Sequence, residues 1–416
     1  MKFQVVKFSA AFLAAVVAAG SAAAQSLPPT VSAAAVSDAP AAARSDFEGR
    51  GIPAGSFMFY PSITAGMRYD DNIFASNTNR TSDWLFVERP ELRLKSNWNR
   101  HSLDGYAWLE ALQHAKFSTD NQVNGGIGAS GVLDIQRDMI LTANFQYARN
   151  HEERGTGESQ TRFDKPVAYN QFDGGATLNK RFNRLWASFG GTLRRTDYED
   201  PTVNGVAVSQ SYRDGTVSTE VGRVGYEVSP MTSVFFETAL IQRNFNDSRF
   251  NSTGYRMAGG VKFEPSRLLN GEFFAGYMSE DYKTAGFQKV SSFTYGGNLV
   301  WSATRLLNVT ADGLREARES AYLGGVSMID SQFGVKADYE IQRNLRAGGG
   351  LRYIRDDYNT TTRRDEYWQP SLFVKYLVTP NVAAGFDYKY TSFTTNGVGI
   401  LGYVKSVYMV SLTAFY

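Results

Sequence analysis

The sequence predicts an all-β fold: a transmembrane antiparallel up-and-down β-barrel of about 18 strands, preceded by a signal peptide and a short flexible leader. Three observations predict it. Apolar and polar residues alternate through one segment after another, most of about ten to fifteen residues. The connections between segments are tight and long in turn. The last segment alternates to its end and finishes on an aromatic residue, Tyr416.

The alternation places one row of side chains on each face of a strand. Phe57, Phe59, Ile63, Ala65, Met67 and Tyr69 share one parity, and Ser62, Thr64, Gly66 and Arg68 the other. The same reading holds for Met139, Leu141, Ala143, Phe145 and Tyr147, for Leu185, Ala187, Phe189 and Leu193, and for Ile329, Phe333, Val335, Ala337 and Tyr339. Strands of a soluble sheet run to about five or six residues. These are longer, as strands tilted through a bilayer need to be. After the N-terminus no apolar run approaches the roughly 18 residues of a membrane helix.

Tight turns are expected at Arg137-Asp138, Arg181-Phe182-Asn183, Ser229-Pro230-Met231, Pro265-Ser266 and Thr379-Pro380-Asn381. Longer polar connections are expected over Asp70 to Ser82, Asn150 to Lys165, Thr196 to Gln210 and Ser392 to Leu401. Short turns on one side and long loops on the other are the outer-membrane arrangement, and an even strand number puts both termini on the short-turn, periplasmic side. The row Tyr408, Val410, Leu412, Ala414, Tyr416 resembles the terminal signal of barrels inserted by the outer-membrane assembly machinery, in which Phe is the commoner last residue.

At the N-terminus Lys2 and Lys7 precede an apolar run from Phe8 to Ala19, and Ala22-x-Ala24 fits a signal-peptidase site before Gln25. The expected organisation is therefore a signal peptide over 1–24, a flexible Ala/Pro-rich periplasmic leader over 25–55 and the barrel over 56–416. The leader has too few large apolar residues to offset the cost of ordering its backbone. The address is the outer membrane of a Gram-negative cell.

Composition excludes several function classes. The 416 residues contain no cysteine, which removes disulfides, thiolate metal sites and a cysteine nucleophile. A net charge of +2 does not suit a protein that coats nucleic acid. Gly126-Ile127-Gly128-Ala129-Ser130-Gly131 matches a dinucleotide fingerprint, but it lies inside an alternating strand with no helix after it. The three histidines, His101, His114 and His151, lack metal-ligand spacing, and no serine–histidine–acid order stands out. Asp70-Asp71-Asn72 and Asp356-Asp357-Tyr358-Asn359 could offer oxygen ligands to Ca²⁺, but turn chemistry at strand ends is the simpler reading. No enzyme, catalytic residue, cofactor or metal is expected.

If the apolar parity faces lipid, the other faces the lumen. Lumen-facing candidates are Arg68, Arg93, Tyr106, Trp108, Arg194, Arg256, Lys262, Arg346 and Arg352. Lys95, Asp104, Glu110, Asp214, Glu220, Glu272, Asp312, Asp330, Lys336, Asp338, Asp387 and Lys389 share their parity. Charges of both signs inside a barrel need water or each other, so cross-lumen ion pairs are expected for most of them. Glycine pairs within strands, such as Gly125-Gly126, Gly190-Gly191 and Gly259-Gly260, are expected to mark bends or to keep the lumen open.

Tyr69-Asp70-Asp71-Asn72-Ile73-Phe74, followed by Ser82-Asp83 and a strand with Pro90, resembles a family of outer-membrane β-barrel porins often encoded with exopolysaccharide synthesis and export genes. The resemblance implies a barrel in the outer membrane, assigned in some members to polysaccharide export or attachment, and it supplies no catalytic residues. The first expectation is thus a channel taking part in exopolysaccharide export. The alternatives are a general diffusion porin for small polar solutes and a structural or adhesive barrel. Expected partners are outer-membrane lipid and lipopolysaccharide, a polysaccharide or small polar solute, and periplasmic export proteins. A polymer path calls for a continuous polar and aromatic track, and a diffusion porin for an inward-folded loop with a charged constriction. The loop from Asn150 to Lys165, with Glu152, Glu153, Arg154 and Arg162 and the glycines Gly155 and Gly157, is the candidate for that constriction.

Overall fold

Long alternating segments can satisfy their backbone in a membrane only by pairing into a closed sheet, and that is what they do. The computed structural model describes residues 47, 49–156, 163–283, 289–320, 327–359 and 361–416. The expected signal peptide and most of the expected leader lie outside the described residues, as do Gly157 and Arg162.

Eighteen long strands form the wall. The first six are β1 (Phe57–Asp70), β2 (Asp83–Ser96), β3 (Ser102–His114), β4 (Gln122–Gln136), β5 (Met139–His151) and β6 (Ala168–Phe182). There follow β7 (Leu185–Tyr198), β8 (Gly215–Ser229), β9 (Thr232–Phe245), β10 (Ser252–Ser266), β11 (Leu269–Tyr282) and β12 (Val290–Ser302). The last six are β13 (Leu307–Glu319), β14 (Ser327–Gln342), β15 (Leu345–Tyr358), β16 (Arg364–Thr379), β17 (Val382–Thr395) and β18 (Tyr403–Phe415). Each pairs antiparallel with its chain neighbours, and β18 closes on β1 with Ser62 opposite Phe415 and Asp70 opposite Val407. A hydroxyl pair, Thr64 with Thr413 at 2.9 Å, spans the seam. Closure leaves the sheet no free edge in the hydrocarbon.

At the periplasmic end the strands turn in a few residues. The ladder shifts register just before five of these turns, for example between Glu227 and Ser229 and between Phe263 and Ser266. That shift moves one expected turn: Ser266 still pairs with Leu269, so the chain reverses at Arg267-Leu268 rather than at Pro265-Ser266. Asn183 supplies the positive φ of another turn. The extracellular connections are longer, among them residues 71–82 (loop L1), 152–167 (L3), 199–214 (L4) and 396–402 (L9). A small hairpin, Thr202–Val203 with Val206–Ala207, stands on L4 and turns at Asn204 and Gly205, both at positive φ. Asp70 accepts the Asn72 N–H at 2.9 Å and Asn72 accepts the Ser76 N–H, so the first acidic cluster does the work of a turn. The second cluster belongs to β15, where Asp357 holds Arg355 and Arg364.

One row of each strand is exposed and apolar: Ile63 and Met67, Phe86 and Leu92, Phe189 and Leu193, Leu372 and Val374. Aromatic pairs sit toward both ends of it, such as Tyr69–Trp84 at 5.0 Å, Tyr353–Trp368 at 4.7 Å and, at the periplasmic end, Phe57–Trp98 at 5.4 Å. These are the two interfacial girdles of a membrane barrel. The other row faces inward. Arg223 of β8 reaches Glu272 of β11, three strands round, at 2.8 Å, and side chains so far apart along a curved wall meet only on its concave side.

Two expected lumen residues are corrected. Glu220 lies opposite Gly191 and Leu240 on the outward row, because the parity of β8 puts Arg223 inside. Asp214 precedes β8, and its carboxylate accepts the Tyr198 N–H at 2.7 Å at the top of the wall.

The glycines have a more specific use than bending. Tyr106 lies in register with Gly128, Trp108 with Gly126, Trp186 with Gly225, Phe235 with Gly260, Phe274 with Gly296 and Phe373 with Gly348. A Cβ added at Gly128 would stand 2.6 Å from the Tyr106 ring, and one at Gly225 2.2 Å from Trp186. Each of these six rings thus takes the space above a glycine of the next strand, which lets a wide ring fit a wall that curves toward it.

Candidate functional site

The inner wall is divided into a packed side and a solvent-lined side. On β8–β11 four charges alternate in sign across adjacent strands: Arg223, Glu237, Arg256 and Glu272. Arg223 donates to Glu237 at 2.5 Å, and Arg256 donates to the other oxygen of Glu237 at 2.7 Å. Glu237 is fully buried and Arg223 only 5% exposed, under Phe235, Ala258, Phe274, Leu314 and Trp186. The Arg223 and Arg256 guanidinium groups also lie over the Phe235 and Phe274 rings, at 5.0 and 5.3 Å. Buried charge is tolerable here because every guanidinium meets a carboxylate and an aromatic face.

Above this packed side the extracellular end of β13 bends inward. Arg243 of β9 pairs with Glu280, reaches Glu319 at 3.3 Å and donates to the Ala317 carbonyl at 2.8 Å, although β13 is four strands away. Phe250, Met278, Tyr282, Val290, Ala317 and Ile329 pack into one cluster there.

Loop L3 folds over the mouth on the other side, against L1, the 115–121 connection and β18. Arg154 forks onto Asp120 at 2.7 and 3.0 Å, donates to the Phe163 and Asp164 carbonyls, and lies 5.4 Å from the Phe74 ring. Glu152 pairs with Arg213 of L4. Gly155, at φ +85, presses against Ala75 of L1 and Tyr403 of β18, with no room for a Cβ. L3 leaves the wall at β5 and its described N-terminal part reaches β18, five strands round the rim. Glu153, next to the end of β5, is within electrostatic reach of Lys389, Lys405 and Tyr403. Outside the membrane-spanning strands, Asp164 is held below the ordinary carboxylate range by the Gly205 N–H, the Thr202 hydroxyl and the Asn204 N–H, which ties the L4 hairpin to L3.

The solvent-lined side carries the remaining polar groups. Arg352 faces Asp312 at 3.2 Å with both side chains about two-fifths exposed, and Arg346 faces Asp338 at 2.7 Å. Glu91 lies between Arg93, at 2.5 Å, and Arg89, and Arg89 also reaches Glu110 at 3.3 Å. Arg194 meets Asp173 at 2.5 Å. Lys336 and Asn144 are exposed to the interior.

The nine sequence candidates all fall on the inward row, but the fold does not bring them together as one site. Arg256 belongs to the buried ladder. Arg93, Arg194, Arg346 and Arg352 are held by carboxylates on the solvent-lined wall. Lys262 stands in register with Glu272, and Arg68 lies near Asp387 and Lys389. Tyr106 donates to Gln146 at 2.8 Å. Trp108 lies between Gly126 and the Arg89 guanidinium, 4.7 Å from its centroid. Sequence reasoning missed Asp120, Arg223, Glu237 and Arg243. Arg223 and Glu237 share the inward parity and were findable from it, whereas nothing in the sequence ties Asp120 to Arg154. Among the described residues no group of three or more His, Asp or Glu side chains could hold a metal ion.

Crystal structures similar to the chain include OccAB3 from Acinetobacter baumannii, 10% identical over 87% of this chain and 100% of that one with a TM-score of 0.45. The outer membrane protein opdK from Pseudomonas aeruginosa is 11% identical over 86% of this chain and 99% of that one, with a TM-score of 0.44. No curated protein matches the chain. A family model described as "Putative beta-barrel porin 2" matches residues 44–416. The chain belongs to that family of outer-membrane β-barrel porins.

Proposed function

We propose that this porin passes small polar solutes through the solvent-lined side of its lumen, with L3 setting the size limit. The observation that carries the reading is the inward fold of the described part of L3, pinned by Arg154 on Asp120 and pressed by Gly155 against Tyr403 of β18. The packed ladder of β8–β11 and the inward end of β13 narrow the opening from the opposite side. The remaining passage is lined by fixed pairs of both signs, which can exchange hydrogen bonds with a hydrated solute without holding it.

Export of an exopolysaccharide, the reading drawn from the family resemblance, calls for an aromatic track open to the polymer. Trp108 argues against it, since one face of its ring is on Gly126 and the other under Arg89. The test combines single-channel conductance, swelling of liposomes in sugars of increasing size, and secreted polysaccharide in a strain lacking the gene. Stable conductance with a sharp size cut-off and unchanged polysaccharide is the expected result. Loss of secreted polysaccharide, together with a barrel that conducts no small solutes, would overturn the proposal in favour of export. Neither conductance nor a change in polysaccharide would point to a structural or adhesive barrel.

A further inference from the structure

We propose that the inner wall from β14 round to β1 holds a binding site for the carboxylate or phosphate group of a small anionic solute, built on Lys336, Lys375 and Arg68. The inference deepens the channel reading, and its transport part rests on that reading. The register places the groups. Going round from β14, Asp338 lies opposite Gly348, Gly348 opposite Phe373 and Phe373 opposite Asp387, and Met409 of β18 lies between Asp387 and Arg68. Lys336 stands one rung above this row, opposite Gly350, and Lys375 one rung below it, opposite Arg346. All of them share the inward row.

Other cations of this stretch are matched. Arg346 is 2.7 Å from Asp338 and 5.9 Å from the Phe47 ring, and Lys405 is 2.7 Å from Asp70. Lys336, Lys375 and Arg68 are not. Each is within electrostatic reach of Asp387, yet among the described residues none of the three forms an ion pair. Lys375 is within reach of Lys336 and Arg346 as well. Glu340, the remaining carboxylate of the stretch, lies at the periplasmic turn. Three cations round one carboxylate leave positive charge that the wall does not neutralise. Like charges raise one another's energy, and an anion placed among them lowers it. The buried ladder of β8–β11 shows the contrast, because there Arg223 and Arg256 are matched by Glu237 and Glu272.

Small residues keep the space among these cations open. Gly350 of β15 and Gly385 of β17 bring no side chain to the inward row, and Ser371, opposite Gly350, offers a hydroxyl. The Phe373 ring takes the space above Gly348, with the Lys336 ammonium 5.3 Å from its centroid. An apolar floor thus lies beside two ammonium groups, each with three donors on a flexible stem, and a guanidinium with a planar fork. That combination suits an oxyanion carried on a short hydrocarbon or sugar frame, held by charge-assisted hydrogen bonds.

The probes are succinate and inorganic phosphate, titrated separately by calorimetry into the refolded full-length barrel in detergent. At least one should bind. K336Q/K375Q should weaken that binding by roughly tenfold or more, the worth of a lost charge-assisted hydrogen bond. R68Q, on the other side of Asp387, should weaken it independently. K180Q removes a cation from the outward row of β6 and should leave it unchanged. Gel mobility reads the folding of each variant. In planar bilayers the bound probe should lower the KCl conductance of the native barrel and not that of K336Q/K375Q, whose reversal potential in a KCl gradient should move toward cation selectivity. Binding of succinate alone assigns carboxylate solutes to the site, and binding of phosphate alone assigns phosphorylated ones. Binding of neither overturns the proposal, as does binding that survives both the double substitution and R68Q, or that falls equally in K180Q. Calorimetric binding by a barrel that conducts nothing would remove the channel reading and keep the site. Conductance without binding would do the reverse.

Discussion

A single Cβ is decisive at several points of this wall. Gly128→Val should destabilise the barrel by about 1–3 kcal/mol, because the added carbons occupy the space of the Tyr106 ring. A urea titration of the folded barrel in vesicles reads it, and Gly131→Val, which meets nothing closer than 3.5 Å, should cost clearly less. The face of a side chain matters as much as its size. Phe145 is outward and Gln146 inward, hydrogen-bonded to Tyr106. Phe145→Arg should cost roughly 2–4 kcal/mol near the bilayer midplane, and Gln146→Arg much less. Equal costs would mean the faces are reversed. Glu88 is an exposed carboxylate on the outward row, between Phe86 and Leu92. Glu88→Leu should therefore stabilise the barrel, by about 1 kcal/mol.

Among the elements, the loops carry the functional consequences. Arg154→Ala removes the fork that holds L3 and leaves Asp120 buried without its partner. Conductance should rise and the liposome-swelling cut-off should move to larger sugars, with the barrel itself still folded by gel mobility. An unchanged cut-off would show that L3 does not set the size limit. The tie between L3 and the L4 hairpin has a pH signature. Asp164 has a lowered folded-state pKa, so its clamp is fully present above the ordinary carboxylate value of about 4 and is lost as pH falls through the lower folded value. Amide exchange at Asn204 and Gly205 should stay slow from neutral pH to about 4, relative to intrinsic rates. It should speed up below that, and Asp164→Asn should show fast exchange throughout. Slow exchange in the variant would mean that other contacts hold the hairpin.

For the whole molecule, closure is the event that makes the rest stable. β18 supplies one side of the seam from Val407 to Phe415. Deleting Met409 to Tyr416 would leave the backbone groups of β1 unpaired in hydrocarbon, where each costs several kcal/mol. The truncated chain should fail to insert, read as loss of the heat-modifiable, surface-accessible form. Normal insertion would show that closure does not depend on this strand.

The strands, their faces and the alternation of short turns with long loops could be read from the residues, because a strand that borders lipid on one side and water on the other must write that difference into every second position. The rows Met139 to Tyr147 and Leu185 to Leu193 are examples. Parity misled at Glu220, where a carboxylate stands on the lipid row among glycine and leucine, and composition alone could not reveal it. The glycine pairs were visible, but their purpose was not. That Gly128 seats Tyr106 depends on the register between β3 and β4, which the turns and bulges decide. The site was least legible. Arg154 meets Asp120, Arg243 meets Glu319 and Phe47 meets Arg346 across gaps of dozens to hundreds of residues. A periodic pattern records which face a residue takes, since that is a local choice against solvent. Which far residue it faces across the lumen is fixed only when eighteen strands have closed and the loops have folded into the space they enclose.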